Sequence, residues 1–170
     1  KDTDFASFIK SHEQLYKTTA GSMDSFIQKE RISEWLDEYF GKQSGIDFII
    51  VPSLVNGCCN YGPRATLQND KKEVYSIAGL GEINKDGVAV FSDDFIAIIV
   101  HEFIHSYVNP LVDKHIDEFK KSGEKIFPHV KNIMKSQAYS TWNTVVYESV
   151  VRACCVRYLV AMKGAKAAEN

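Results

Sequence analysis

The spacing of apolar residues changes twice along the chain, and each change predicts a different kind of secondary structure. In the first forty residues the apolar positions recur every three to four residues, which predicts helices over residues 4–18 and 22–40. Gly41 follows the second segment and is expected to serve as its C-cap. The N-terminal part of the chain is therefore predicted to be helical.

The middle of the chain has the pattern of short strands. Residues 47–51 form an apolar run that Pro52 is expected to end, and residues 74–78 and 87–91 are further strand candidates. These last two are expected to be joined by a hairpin, because residues 84–87 end in an Asp-Gly pair. A short strand at residues 65–68 would complete a small, mostly antiparallel sheet.

Helical periodicity returns after residue 92. One helix is expected to end near Asn109 and Pro110, and others to cover about residues 112–122, 129–136 and 141–162. The order of helices, a small sheet and further helices predicts an α+β fold.

Composition limits the function classes. With 170 residues, 45% of them hydrophobic and 25% charged, the chain suits one domain over residues 1–170, and it carries no repeat or linker-like segment. A net charge of −2 gives no indication of a nucleic-acid partner or an anionic membrane surface. The longest apolar run, residues 95–100, is too short to span a bilayer, so no membrane span is expected.

The four cysteines form two adjacent pairs, which is not the spacing of a structural zinc site. Cys154 and Cys155 lie in an apolar helical stretch and are expected to be small core residues. Cys58 and Cys59 lie in a loop, where a disulfide and free thiols are both open.

Residues 101–105 read His-Glu-Phe-Ile-His, the HExxH motif, on an expected helix. Two histidines four residues apart project from one face of a helix, so that both imidazoles reach a single ion. Glu102 is placed to take a proton from a water molecule that the metal activates. The alternative is a buried helix whose histidines are satisfied by core hydrogen bonds, but the pair with its intervening glutamate favours Zn²⁺ held by His101 and His105.

A catalytic zinc needs a third protein ligand and keeps one position open. The HExxHxxGxxH arrangement is excluded, because Val108 and Leu111 stand where its glycine and third histidine would be. Glu148 is the best candidate, because an unpaired carboxylate in so apolar a helix would be costly. Two alternatives stay open: an intrahelical ion pair of Glu148 with Arg152, and other third ligands, namely Asp113, His115 and Glu118.

The segment from Ile98 to Pro110 and, more loosely, residues 142–152 resemble the gluzincin-type, thermolysin-like HExxH zinc metallopeptidases. The segment from His101 to Pro110 is also similar to one in uncharacterised bacterial zincin-like domains. The resemblance implies a zincin-like fold in which the motif helix packs against a C-terminal helix that supplies Glu148 as third ligand. The chain departs from the family at Arg152, where several members place an acid that holds the first histidine.

Other side chains near the motif are candidates for contacting substrate or stabilising an oxyanion. Asn109, one turn beyond His105, is expected either to cap the helix end or to touch substrate, and capping is favoured. The remaining candidates are Arg152, Tyr147, Tyr139, His115 and His129.

Together these features predict a zinc-dependent metallopeptidase with a peptide or protein substrate and Glu102 as general base. An alternative is a non-catalytic zincin-like domain that binds a peptide or glycan, and a third hypothesis is hydrolysis of a non-peptide amide or ester. The chain begins at Lys1 with neither methionine nor an apolar leader. This start fits a processed or excised chain, and with the resemblance it leads us to expect export to the periplasm or outside the cell.

Overall fold

The computed structural model describes residues 3–80 and 82–168. The helices are α1 (Phe5–Ser11), α2 (Glu13–Ile27), α3 (Ile32–Phe40), α4 (Asp93–Lys114), α5 (Ile116–Ser136) and α6 (Trp142–Lys163), and a 3₁₀-helix follows at Ala165–Ala168. The strands are β1 (Ile46–Ser53), β2 (Arg64–Thr66), β3 (Lys72–Gly79), β4 (Glu82–Ile83) and β5 (Ala89–Val90). This order of elements confirms the α+β class.

The main sheet has the strand order β1-β3-β2 and is mixed. β1 pairs with β3 in parallel over eight residue pairs, whereas β2 pairs with β3 antiparallel over three. The expectation of a mostly antiparallel sheet is therefore wrong for the longest pairing. The chain between β1 and β3 is long enough for the crossover that parallel strands need, and it places β2 on the far side of β3.

Two local strand predictions need correction. Pro52 lies inside β1 instead of ending it, because β1 is an edge strand with β3 as its sole neighbour in the described sheet, and an edge tolerates a missing N–H donor. The Asp-Gly hairpin exists, with Gly87 at φ +77°, but it joins β4 to β5 instead of β3 to β5. Asn84 stabilises this turn, because its Oδ1 accepts from the N–H groups of Asp86 and Val88 at 2.9 Å.

The N-terminal region is helical as predicted, but it forms three helices where two were expected. The first break is at His12 and the second lies between α2 and α3, at residues 28–31. Gly41 follows α3 with φ +87°, a backbone conformation that glycine adopts without strain, which confirms it as the C-cap. Asp4 caps α1, since its side chain accepts from the N–H of Ser7.

Helix α4 is the centre of the core. It packs against β3, α3 and α6, and its buried stripe is formed by Val100, Ile104, Val108 and Val112. These residues are four apart, so they lie along one face and are shielded from water. By length and composition alone, Asp94–Lys114 could cross a membrane, but 56% of its most apolar window is buried inside the protein, and a core helix meets the same criteria.

The expected break at Asn109 and Pro110 does not occur, because α4 continues through Pro110 to Lys114. Likewise, the two helices predicted at residues 112–122 and 129–136 are replaced by the single helix α5, which contains Pro128. The final helix is confirmed as α6. Thr141 caps it, since its hydroxyl accepts from the N–H of Thr144 at 3.1 Å.

Candidate metal centre

Helices α4 and α6 bring three potential metal ligands together. His101 and His105 occupy successive turns of α4, on the side that faces α6, and Glu148 comes from the middle of α6. The neighbouring buried stripe of α4 fixes the rotation of this helix, which directs both imidazoles towards Glu148. All three side chains are largely shielded from solvent: 21% of the surface is exposed for His101, 15% for His105 and 14% for Glu148.

The distances between these donors match a zinc site. The two Nε2 atoms are 3.1 Å apart, His101 Nε2 lies 3.4 Å from Glu148 Oε2, and His105 Nε2 lies 3.3 Å from Glu148 Oε1. Ligands at about 2.0–2.2 Å from a tetrahedral zinc ion are about 3.3–3.6 Å from one another. The two histidines therefore face the two oxygens of one carboxylate at distances close to those around a single metal ion, and two imidazoles with one carboxylate suit zinc chemically.

The electrostatics of the cluster favour a bound cation. Burial alone would raise the pKa of Glu148, but the hydrogen bonds and charges of His101 and His105 outweigh it and hold that pKa far below its usual range. Burial acts to lower the pKa of His105, yet the hydrogen bonds to Glu148 and Asn109 raise it overall. The cluster thus contains a carboxylate that stays charged and an imidazole whose affinity for a proton is raised.

Asn109 holds His105 in position. Its Oδ1 lies 3.1 Å from Nδ1 of His105. When Nδ1 donates its proton to this oxygen, Nε2 is left as the free lone pair that a metal needs. The preferred sequence interpretation of Asn109 as a helix cap is therefore wrong, because α4 does not end there.

Glu102 is a buried carboxylate next to the cluster. It is 8% exposed and lies on α4 directly after His101. Burial raises its pKa, the two histidines offset part of that rise, and the charge of Glu148 adds to it. A raised pKa brings a carboxylate nearer to neutrality, where it accepts and returns a proton readily.

Gly62 allows the loop before β2 to close against Glu102. A Cβ atom on this residue would lie 2.6 Å from the carbonyl oxygen of Glu102 and 2.9 Å from its Oε2. Tyr61 anchors the same loop to the sheet, because it exchanges two backbone hydrogen bonds with Ile77 at 2.8 and 3.0 Å. The sheet edge therefore forms one wall around the glutamate.

A cleft of about 430 Å³ opens beside the cluster. It is lined by residues of α4, of α6 and of the loop before β2, namely Ala97, Ile98, His101, Glu102, Arg152, Cys155, Val156 and Asn60. The cleft gives a substrate access to both His101 and Glu102. A larger cavity of about 550 Å³, between α5 and the start of α6, contains none of the three clustered residues.

Arg152, which lines the cleft, and Tyr139 lie next to Glu148. Arg152 Nη2 donates to Tyr139 Oη at 2.9 Å, and Tyr139 Oη donates to Glu148 Oε2 at 3.1 Å. The direct ion pair proposed for Arg152 and Glu148 is long, at 3.9 Å, and Arg152 is 64% exposed. Glu148 therefore interacts more closely with the histidines than with its helical neighbour.

Several other candidates lie outside the cluster. Tyr147 hydrogen-bonds to Asp113 near the end of α4, and neither lines the cleft. His115 and Glu118 bond to each other at 2.7 Å on the surface, and His129 is exposed on α5. None of these residues belongs to the triad of potential ligands found among the described residues.

The whole chain, residues 1–170, matches a single family, described as a domain of unknown function, DUF4932. The chain belongs to the DUF4932 family. No curated protein and no solved structure matches it. For this DUF4932 domain, the arrangement of the site itself is therefore the basis for assigning a function.

The sequence interpretation missed three contributors to the site. Cys155 was assigned to the core, but its thiol also lines the cleft, and burial raises its pKa to about 12. Its spacing of seven residues from Glu148 places both on one face of α6, which was a usable signal. Gly62 and Asn60 had no local signal for a place beside Glu102, because only the sheet brings their loop to α4. All four cysteines are free, with Cys58 and Cys59 exposed.

Proposed function

We propose that this protein is a zinc-dependent hydrolase, namely a metallopeptidase that cleaves a peptide or protein substrate. The observation that carries the proposal is the cluster of His101, His105 and Glu148, whose donor-to-donor distances of 3.1–3.4 Å are close to those around one zinc ion. The buried Glu102 supports catalysis over simple metal storage, because it lines the cleft and is not one of the three clustered potential ligands.

Zinc held by these three residues would act as a Lewis acid, polarising a carbonyl and lowering the pKa of water to about 7. Glu102 accepts a proton from the attacking water as the new C–O bond forms. It then delivers that proton to the leaving nitrogen as the C–N bond breaks. One water is consumed, and the products are a carboxylic acid and an amine.

The residues around the triad set the orientation and protonation of its side chains for hydrolysis. Asn109 selects the protonation state of His105, and Tyr139 keeps one oxygen of Glu148 oriented. The backbone of Gly62 covers Glu102 and limits its contact with bulk water. A buried base next to an open cleft is the arrangement that hydrolysis requires.

The test compares the zinc-loaded wild type with Glu102→Gln on a peptide library read by mass spectrometry. We expect both proteins to bind one zinc ion, and the variant to lose at least about 10²-fold in turnover. Equal turnover would reject Glu102 as the base. A wild type that binds zinc and cleaves nothing would reject the peptidase and leave the alternative, a domain that binds a peptide or glycan.

A further inference from the structure

Arg152 is the one permanently cationic side chain among the described residues that line the cleft. It projects from α6, one turn beyond Glu148, and shares the cleft wall with His101 and Glu102 on α4. The rest of the wall is largely apolar, with Ala97, Ile98 and Val156. A guanidinium in such a setting offers a directional contact to any anion that enters.

The guanidinium is held from one edge only. Its Nη2 donates to Tyr139 Oη at 2.9 Å, while its Nε stays 3.9 Å from Glu148 Oε2. With 64% of the side chain exposed, the other edge remains accessible from the cleft. An arginine fixed in this way presents its remaining N–H groups without losing further side-chain entropy.

The charge of Arg152 is not balanced once the site holds a divalent cation. The carboxylates of Glu102 and Glu148 together offset the two charges of such an ion, and neutral histidines add none. The positive charge of Arg152 then has no carboxylate to compensate it. The positive excess favours a substrate that carries a negative group close to the bond being cleaved.

We propose that Arg152 binds a carboxylate on the residue that follows the scissile bond, so that the enzyme prefers substrates with an anion there. This inference rests on the proposed hydrolase function. The distances permit it, because an α-carboxylate on that residue lies within about 4 Å of the attacked carbonyl carbon. Arg152 is correspondingly close to the triad, since Glu148 contacts both the histidines and its guanidinium.

Two parts of a substrate could supply this carboxylate, namely a free C-terminus and an acidic side chain. The first arm of the experiment uses a peptide that the enzyme cleaves and that has one residue after the scissile bond. It compares this peptide as the free acid with the same peptide as the C-terminal amide. The second arm uses amide-capped peptides with Glu or Gln after the scissile bond. We expect kcat/KM to favour the acid of at least one pair by about tenfold or more.

The variants separate substrate binding from positioning. Arg152→Gln should bring the acid-to-amide ratio to about one, and Arg152→Lys should retain part of it, because the charge remains while the planar fork is lost. Tyr139→Phe releases the guanidinium and should lower the ratio in part, while lowering turnover on both substrates. Arg157→Gln removes an exposed arginine from the same helix and should behave like the wild type.

A binding measurement keeps this test independent of cleavage. Zinc-loaded Glu102→Gln, with and without Arg152→Gln, is titrated calorimetrically with acetyl-dialanine as free acid and as amide. Tighter binding of the acid, lost with Arg152, supports the carboxylate contact of Arg152 even if no peptide is cleaved and the proposed function fails. Cleavage or binding with the same preference in the presence and absence of Arg152 overturns the inference and leaves the hydrolase intact.

Discussion

His105 Nδ1 lies 3.1 Å from Oδ1 of Asn109, one turn further along α4. This bond ties the orientation of a potential zinc ligand to a residue that touches neither the cleft nor Glu148. It also explains why α4 must continue past His105, because Asn109 reaches the imidazole only from the next turn of the same helix.

Replacing Asn109 should weaken zinc binding without unfolding the protein. We expect Asn109→Ala to reduce zinc affinity by about tenfold or more, because His105 loses the acceptor that fixes its ring and tautomer. Asn109→Asp retains an acceptor and should retain most of the affinity. Competition against a fluorescent zinc indicator measures both. Wild-type affinity in Asn109→Ala would show that the bond has no role in metal binding.

A methyl group at Gly62 should damage catalysis while sparing the metal ligands. The added Cβ of Gly62→Ala would lie 2.6 Å from the Glu102 backbone oxygen, so the loop or α4 must shift. We expect at least about tenfold lower turnover, unchanged zinc stoichiometry and a loss of roughly 1–3 kcal/mol in unfolding free energy.

Gly21 offers the matched control for this substitution. It lies within α2 and has no atom within 4 Å of an added Cβ. Gly21→Ala should therefore leave turnover unchanged and stabilise the protein by up to about 1 kcal/mol, because alanine favours the helix. Urea unfolding of both variants checks the stability effects. Equal turnover in the two variants would contradict the role assigned to Gly62.

Tyr107 contains a buried polar atom whose removal should not destabilise the protein. Its hydroxyl has no hydrogen-bond partner, and its ring stacks on Phe40 with centroids 4.6 Å apart. Tyr107→Phe keeps the ring and removes the unsatisfied hydroxyl, whose burial costs about 1–3 kcal/mol. We expect the unfolding free energy of the variant to equal or exceed that of the wild type in urea. A loss above about 1 kcal/mol would show that the hydroxyl has a stabilising partner.

The raised pKa of Tyr158 predicts that the protein loses stability at alkaline pH. Burial and then the nearby carboxylate of Glu30 raise its pKa above the ordinary value of 10. The folded state therefore favours the protonated phenol, so this contribution is complete below pH 10 and is lost as pH rises above 10. The slope is at most about 1.4 kcal/mol per pH unit for one group.

The comparison is between the wild type and Tyr158→Phe. Between pH 9 and 11, we expect the unfolding free energy of the wild type to fall more steeply than that of the variant, since phenylalanine does not titrate. Other tyrosines contribute equally to both proteins and cancel in the difference. Parallel curves would contradict the shift assigned to Tyr158.

The fold was predictable where a pattern is local and strong. Helix α6 and the C-cap at Gly41 follow from periodicity and capping residues. The extension of α4 through Pro110 was not predictable from propensity, because an interior proline costs about 3 kcal/mol. Val112 continues the buried stripe beyond Pro110, and this packing favours continuation of the helix.

The residues of the candidate site were predictable only where their signal is local in the sequence. The spacing of His101 and His105 is set within one helix, and the isolated carboxylate of Glu148 stood out in an apolar stretch. The contacts of Tyr139 and Gly62 depend on how the loops before α6 and β2 lie against the helices. The parallel pairing of β1 with β3 is likewise a contact between distant segments, and no local pattern specifies it.

The central claim is that His101, His105 and Glu148 jointly bind one zinc ion. The most direct measurement is the zinc content of the purified wild type and of His101→Ala, His105→Ala and Glu148→Ala, determined by elemental mass spectrometry after dialysis. His129→Ala, which removes an exposed histidine on α5, is the control. The account predicts one zinc ion per chain in the wild type and the control, with strong depletion in each of the other three. Zinc retained in full by Glu148→Ala and His101→Ala, or absent from the wild type after incubation with zinc, would contradict it.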